Sequence, residues 1–332
     1  MRIFITGANG FIGSNLCRYF LGQGWEVHGL VRRTSDLHYL QGLAVKLIYG
    51  DLLRPEEFSI PAGVDYIVHA ASIVSEQADD ETCRKNIYEL AVNLVRKIRS
   101  MPRPPKRIVY ISTAITLGFN ARDISEEKRG ESVEFLGYTR YKVRTERMFL
   151  DEWKRTGLPV VILRPGDVYG PNDRTSCAKI LRGCERGVPL IVGHGNWRFG
   201  FCYVDNLSRA VHLALLKEGI EGRAYTVTNG ELPTWRMFFS GLQKGLSRKP
   251  PFNTPVWIAF SIGFCMQAVH TLFPRYEATL NYYRVKRITT ETTYDISRTV
   301  AELGYVPDDR LEAQIAAIVA WYLKDRKDGF IK

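Results

Sequence analysis

The chain has 332 residues, of which 45% are apolar and 24% charged, and its formal net charge is +11. These proportions are typical of a globular protein with a large core and exclude a disordered or collagen-like chain. The basic residues are dispersed without an interleaved aromatic platform, so we expect no nucleic-acid partner. No signal peptide is visible, and the cysteines and histidines lack metal-ligand spacing. We therefore expect a cytoplasmic protein with reduced thiols and no metal site.

The first predicted strand runs directly into a glycine-rich turn. Residues 2–6 alternate like a buried strand, and apolar residues between 14 and 21 have helical spacing. A strand that enters a helix through spaced glycines is typical of dinucleotide-binding proteins, because the backbone can then approach a pyrophosphate at the helix N-terminus. The residues of this turn that we expect to bind the cofactor are Gly7, Gly10, Phe11, Ile12 and Gly13.

Short apolar strands then alternate with longer helical patterns. The predicted strands are 2–6, 26–31, 45–50, 65–70, 107–112 and 159–165, and the predicted helices are 14–22, 81–100, 138–156 and 205–217. Such alternation predicts an α/β fold, a Rossmann-type doubly wound parallel sheet. We expect residues 1–165 and about 201–230 to form the NAD(P)-binding domain, and 166–200 and 231–332 to form a smaller C-terminal substrate-binding lobe over the carboxyl ends of the strands.

A tyrosine and a lysine lie four residues apart on the third predicted helix. Tyr138 and Lys142 therefore project from one helix face, and Ser112 and Thr113 lie upstream at the end of the fifth predicted strand. A tyrosine hydroxyl titrates near ~10, so it needs a nearby cation to exchange protons at neutral pH. We predict that Tyr138 acts as acid or base, that Lys142 supplies the cation, and that Thr113 orients the substrate oxygen with Ser112 assisting.

Together, these segments resemble the extended short-chain dehydrogenase/reductases, the NAD-dependent epimerase/dehydratase superfamily, and most closely its 3β-hydroxysteroid dehydrogenase-like branch. The segments that carry the resemblance are TGANGFIG (6–13), GDL (50–52), HAAS (69–72), ISTA (111–114), YTRYK (138–142), LRPGDVYGP (163–171), FCYVDN (201–206) and YDISRTVAELGYVP (294–307). The resemblance implies catalytic roles for Thr113, Tyr138 and Lys142. It also implies a homodimer formed through the helices 81–100 and 138–156.

The resemblance further implies which residues outside the glycine turn contact the cofactor. Those residues are Asp51, Leu52, Ala70, Ala71, Ser72, Tyr138, Lys142, Pro165, Gly166 and Val168. The end of the second strand bears on the choice of cofactor. Val31 stands where an acidic residue would bind the ribose of NAD, and Arg32 and Arg33 follow it. Since arginine favours binding of the 2′-phosphate, we expect NADP as the cofactor, with NAD as the alternative.

The segment before Phe201 bears on the substrate. Relatives that act on nucleotide sugars usually place an arginine two residues before this phenylalanine, and Phe199 stands there instead. The resemblance therefore implies reversible hydride transfer to or from a hydroxyl or keto group of a hydrophobic, sterol-like small molecule. A nucleotide-sugar epimerase or dehydratase with tightly bound NAD is one alternative, and a non-catalytic nicotinamide-sensing protein is another.

A long uncharged segment follows, with no charged residue from Asn253 to Pro274 and a basic flank behind it. Two interpretations fit it. The segment could form an apolar cap over the substrate pocket, which we favour, or residues 253–287 could make a peripheral membrane contact through an interfacial helix. The second interpretation would make the protein membrane-associated.

Overall fold

The computed structural model describes residues 1–188, 191–249, 252–273 and 280–331. Its strands are β1 Arg2–Thr6, β2 Glu26–Val31, β3 Lys46–Tyr49, β4 Tyr66–His69, β5 Arg107–Ile111, β6 Val160–Pro165, β7 Asp167–Tyr169, β8 Phe201–Tyr203 and β9 Ala224–Val227. Seven of them form one parallel sheet in the order β3-β2-β1-β4-β5-β6-β9. The strand order reverses between β1 and β4, which opens a crevice at their carboxyl ends. The predicted fold class is confirmed.

The α-helices of the described residues are α1 Phe11–Gly22, α2 Asp80–Cys83, α3 Leu90–Arg99, α4 Gly137–Thr156, α5 Cys177–Glu185, α6 Val204–Leu216, α7 Trp235–Gly245, α8 Val256–Leu272, α9 Tyr282–Ile288, α10 Ser297–Leu303 and α11 Leu311–Lys327. α1 and α6 cover one face of the large sheet, and α3 and α4 cover the other. A π-helical stretch, Arg84–Glu89, joins α2 to α3. The predicted helix 81–100 therefore corresponds to this continuous run.

Successive side chains of β1 point to opposite faces of the sheet, and each face has its own hydrophobic core. Ile3 and Ile5 pack on one face with α1 and α6, for example with Phe20. Phe4 points to the other face and packs with Leu94 of α3 and with α4. Because both faces are covered, the strand is apolar at nearly every position, as buried parallel strands are.

The chain leaves the large sheet after β6. β7 and β8 form a separate two-stranded parallel sheet. Aromatic and aliphatic side chains from this pair, α5, α7 and α11 make another core, which includes Tyr169, Phe238 and Ile318. The division into a cofactor domain and a substrate lobe stays a prediction, and parts of it lie outside the described residues.

The uncharged segment forms α8 on the surface. Within this fully described helix, only Ala259 and Gly263 are buried, and large side chains such as Trp257 and Phe264 are exposed. The interpretation as an inward-facing cap therefore does not hold for most of the helix. In the described ranges, no helix has the length and apolarity that a membrane crossing needs. Residues 274–279 of the segment 253–287 lie outside the described residues.

All six cysteines lie in the described ranges, and none forms a disulfide. Five are buried, and burial raises the pKa of Cys17 to about 12. Cys265 on α8 is exposed. Across the described parts of the chain, no three His, Cys, Asp or Glu side chains gather into a metal-binding group.

Candidate active site

Close backbone packing in the turn requires glycine at two of its positions. Gly7 has a φ of +67°, which favours glycine, and a Cβ there would lie 2.8 Å from the Cα of Ala71. A Cβ on Gly13 would lie 2.0 Å from the carbonyl oxygen of Gly7. The amide of Gly10 closes the turn by donating to the same oxygen at 3.0 Å. The turn therefore brings backbone, rather than side chains, to the crevice.

The helix that follows fits a phosphate ligand. α1 begins directly after Gly10, which offers no side chain to cap the first amides. The N–H groups of Phe11, Ile12 and Gly13 therefore lie at the positive end of the helix dipole without a side-chain acceptor. An uncapped helix start beside a glycine turn fits the pyrophosphate of a dinucleotide.

The neighbouring strand ends are held by a small hydrogen-bond network. The hydroxyl of Thr6 accepts from the amide of Ala71 at 3.2 Å and bonds Nδ1 of His69 at 2.8 Å. Burial, together with the charge of Lys142, lowers the pKa of His69 to about 3, so the imidazole is neutral and structural. The expected cofactor residues Ala70, Ala71 and Ser72 are half-buried beside the turn.

The residues predicted near the adenosine follow β2 and β3. Arg32 and Arg33 are exposed, and the guanidinium of Arg33 lies 5.9 Å from the centre of the Tyr49 ring. Asp51 accepts from the amide of Leu53 at 2.9 Å, and Leu52 is buried. These groups lie after neighbouring strands of the sheet, at its carboxyl edge.

The three predicted catalytic side chains come together. Lys142 is buried, and its Nζ donates to the carbonyl oxygen of Ile111 at 2.9 Å and lies 5.9 Å from the centre of the Tyr138 ring. Burial lowers the pKa of Lys142 to about 7, and the carboxylate of Glu146 opposes this shift. Burial also raises the pKa of Tyr138, and the polar hydroxyl of the neighbouring Thr113 opposes that rise. The strand end and one helix face therefore place a hydroxyl, a phenol and an amine side by side.

Ser112 points into a buried ion-pair network instead. Its hydroxyl donates to Glu146, one turn of α4 beyond Lys142. Glu146 also accepts from Arg164, from Nε at 3.1 Å and from Nη2 at 2.7 Å, and both side chains are buried. Ser112 thus holds the support behind Lys142, and its assisting role in catalysis stays a prediction.

The residues predicted near the nicotinamide lie where the chain passes from β6 to β7. Pro165 ends β6, and the amide of Gly166 donates to the carbonyl oxygen of Val227 at 2.9 Å. A Cβ on Gly166 would lie 1.9 Å from the carbonyl oxygen of Gly200. Glycine is therefore required here by a close backbone approach, and Val168 is half-buried beyond it.

A charged cluster beside Tyr138 was not predicted from the sequence. Arg287 of α9 donates to Asp167 and lies 3.8 Å from Glu76, to which Arg284 also donates at 2.7 Å. Burial raises the pKa of Asp167, and Arg287 opposes the rise. The charges of Asp167, Arg287 and Glu76 also act on the Tyr138 hydroxyl. Only Asp167, inside the motif LRPGDVYGP, gave a sequence signal.

Comparison with known proteins identifies the relationship. Residues 3–228 match the model of the NAD dependent epimerase/dehydratase family. The chain is 30% identical to sterol demethylase protein B of Methylococcus capsulatus, with 100% of both chains covered. It is 25% identical to a 2-alkyl-3-oxoalkanoate reductase of Shewanella oneidensis, with 91% of this chain and 81% of that protein covered.

Solved structures show the same fold. UDP-glucuronic acid 4-epimerase from Bacillus cereus, in complex with UDP-glucuronic acid and NAD, is 21% identical, with a TM-score of 0.75 over 98% of this chain and 99% of the other. The family match spans the glycine turn and the Thr113–Tyr138–Lys142 cluster, and further relatives are named as reductases or dehydrogenases, among them a 3-beta-hydroxysteroid dehydrogenase of Mycolicibacterium neoaurum that is 25% identical, with 97% of this chain and 91% of that protein covered. The chain therefore belongs to the NAD dependent epimerase/dehydratase family and is an enzyme of the extended short-chain dehydrogenase/reductase type.

Proposed function

We propose that this protein is an NAD(P)-dependent oxidoreductase that interconverts a hydroxyl and a keto group on a hydrophobic small molecule. The observation that carries the proposal is the cluster itself. The Thr113 hydroxyl lies close enough to Tyr138 to lower the pKa of its phenol, and the Nζ of Lys142 lies 5.9 Å from the centre of the same ring. The cluster lies at the carboxyl edge of the sheet, on the side of the glycine turn.

Each side chain has a defined task in this proposal. A bound nicotinamide ring supplies or accepts the hydride. The Thr113 hydroxyl donates to the substrate oxygen and holds it beside Tyr138. Tyr138 gives its proton to that oxygen during reduction and takes it back during oxidation. Lys142, when protonated, favours the ionised form of the phenol and so brings its pKa toward neutrality.

The protonation state of Lys142 therefore determines how readily Tyr138 ionises. Burial lowers its pKa to about 7, and the negative charge of Glu146 acts in the opposite direction. Below that pH the amine is charged and supports ionisation of Tyr138. Above it, the amine loses that charge. Glu146 thus helps to keep the cation present at neutral pH.

The surroundings of Tyr138 support a hydrophobic substrate. Phe199 is buried, and its ring centre lies 4.6 Å from that of Trp235, whereas Arg198 is exposed. The arginines of the cluster, Arg284 and Arg287, are paired with carboxylates and so add little net charge. The names of the two relatives describe a sterol and 2-alkyl-3-oxoalkanoates, which are apolar in their larger part. Together these points favour a sterol-like substrate over a nucleotide sugar.

The test of the catalytic role is Tyr138→Phe, with Tyr282→Phe as the matched control. Tyr282 begins a second Tyr-x-x-x-Lys pair with Lys286, but it is exposed. We expect Tyr138→Phe to lose at least a hundredfold in kcat on a panel of sterol and alkyl ketones, with cofactor affinity unchanged. Turnover that survives in Tyr138→Phe would reject the proposal.

The same panel separates the two alternatives. A nucleotide-sugar epimerase or dehydratase would carry tightly bound NAD through purification and show no net redox change. A nicotinamide-sensing protein would bind cofactor without converting any substrate. Mass spectrometry of the released small molecules, combined with the turnover assay, distinguishes these outcomes from the proposed oxidoreductase.

We also propose NADP as the preferred cofactor. Arg32 and Arg33 are exposed directly after β2, where they could pair with the negatively charged 2′-phosphate of NADP. The last residue of β2 is Val31, so no carboxylate at that position would repel the phosphate. We expect Arg32→Ser to lower the NADP-to-NAD ratio of kcat/KM at least tenfold. Arg103→Ser, an exposed arginine before β5, is the control and should leave the ratio unchanged.

A homodimer through the helical run 81–100 and the helix 138–156 is a further part of the proposal. An open groove lies between the π-helical stretch Arg84–Glu89 and α4, lined in part by Arg84, Tyr88, Tyr141 and Arg144. Analytical ultracentrifugation of the full chain tests it, and a Tyr88→Asp variant should sediment as a monomer.

A further inference from the structure

The helix α8 is attached to the protein by a narrow strip of small residues. Ala259 packs with Val192 and Val285, and a Cβ on Gly263 would lie 3.1 Å from the backbone of Asn281. These two small residues lie one helical turn apart, on one face. Val256 and Phe260 on the flanks of this strip are partly buried against the same cluster, and most of the other side chains of the helix are exposed although the helix carries no Asp, Glu, Lys or Arg.

The outward face of α8 is strongly apolar. Trp257, Phe264 and Leu272 follow at spacings of seven and eight residues, so they share one side of the helix, and they are 70%, 73% and 75% exposed. Phe252 before the helix and Phe273 after it are 77% and 65% exposed. Exposed apolar side chains grouped in this way are typical of a surface that contacts a partner or a membrane.

The chain on either side of α8 is basic in sequence. Between Glu231 and Glu277 the sequence contains no acidic residue, but it contains five basic ones. Among them, Lys244 in the last turn of α7 and Arg248 and Lys249 directly after that helix are exposed. A second copy of this chain would bring an identical positive surface to the contact and be repelled. An anionic lipid surface has the complementary charge and an apolar layer beneath it.

We propose that α8 docks the protein on anionic bilayers, lying in the plane of the interface with Trp257, Phe264 and Leu272 inserted and with Lys244, Arg248 and Lys249 against the lipid headgroups. The helix lies on the membrane and does not cross it. α9 packs on α8 and carries Arg287, which contacts Asp167 in the active-site cluster. The docking face therefore lies one helix away from the candidate active site.

The test is cosedimentation of the full chain with vesicles of phosphatidylcholine alone or with equimolar phosphatidylglycerol. The variant is Trp257→Ser/Phe264→Ser, and the control is Val306→Ser/Leu323→Ser, which removes two other exposed apolar side chains. We expect the wild type and the control to bind anionic vesicles at least tenfold more tightly than neutral ones. The α8 variant should lose at least tenfold of that binding, and circular dichroism should show it folded.

A second variant tests the electrostatic part. Arg248→Gln/Lys249→Gln should weaken binding to anionic vesicles severalfold and leave the weak binding to neutral vesicles unchanged. Equal binding by the wild type and the α8 variant would overturn the proposal. So would a lipid-free oligomer that the α8 variant converts to a monomer, because a second copy would then be the occupant. The assay needs no substrate, so its outcome is independent of the proposed oxidoreductase activity.

Discussion

The buried carboxylate of Glu146 is the most informative position to perturb. It accepts hydrogen bonds from Ser112 and from Arg164, whose Nε and Nη2 lie 3.1 Å and 2.7 Å from its oxygens. Glu146→Gln keeps the size of the side chain but removes its charge and turns an amide donor toward a guanidinium. Removing one partner of a buried ion pair costs about 3–5 kcal/mol of the free energy of unfolding.

A surface ion pair provides the matched control. The side chain of Glu131 is 46% exposed and contacts Lys286 at 2.6 Å, so Glu131→Gln should cost less than about 1 kcal/mol. Urea titrations followed by circular dichroism give both free energies under one set of conditions. If Glu146→Gln and Glu131→Gln were equally stable, the network behind Lys142 would contribute nothing, and our account of its support would be refuted.

The remaining predictions concern the glycine turn and the buried lysine. Gly13→Ala should weaken NADP affinity at least tenfold in isothermal titration, because its Cβ would lie 2.0 Å from the oxygen of Gly7, whereas Gly22→Ala in the same helix meets nothing within 4 Å and should bind normally. Between the unfolded-state pKa of Lys142 near ~10 and its folded value of about 7, the unfolded chain holds more protons, so stability rises with pH. From pH ~7 to ~9 the wild type should gain about 1 kcal/mol per pH unit relative to Lys142→Met, and parallel stability curves would contradict this.

Local patterns were sufficient to predict most of the sheet. Strands such as β1 are apolar runs bounded by turn residues, and the predicted helix boundaries differ from the structure by at most three residues. Tyr138 and Lys142 share a helix face by geometry alone, and both are in the predicted cluster. The glycine turn could also be predicted, because the spacing of its glycines between a strand and a helix is visible within one short segment, although the contact of Gly7 with Ala71 is not.

Contacts between distant segments could not be predicted from local sequence patterns. Ser112 and Thr113 both follow β5 directly in extended backbone, where successive side chains point to opposite sides, and only the folded chain shows which one contacts Glu146. Asp167 and Arg287 are separated by 120 residues with no periodic relation. The exposed face of α8 could not be predicted from the sequence either, because a helix with apolar residues on all sides has no sequence pattern that distinguishes its outer face.

The position of β9 has a consequence for biosynthesis. β9 pairs with β6 along Ile162–Pro165, yet it is made only after the intervening segment that contains β7, β8 and α6. While that segment emerges from the ribosome, the outer edge of β6 has unsatisfied amide and carbonyl groups, which other nascent chains can pair with. Chaperone dependence and premature-stop aggregation should therefore be greatest for chains that end between Pro165 and Ala224.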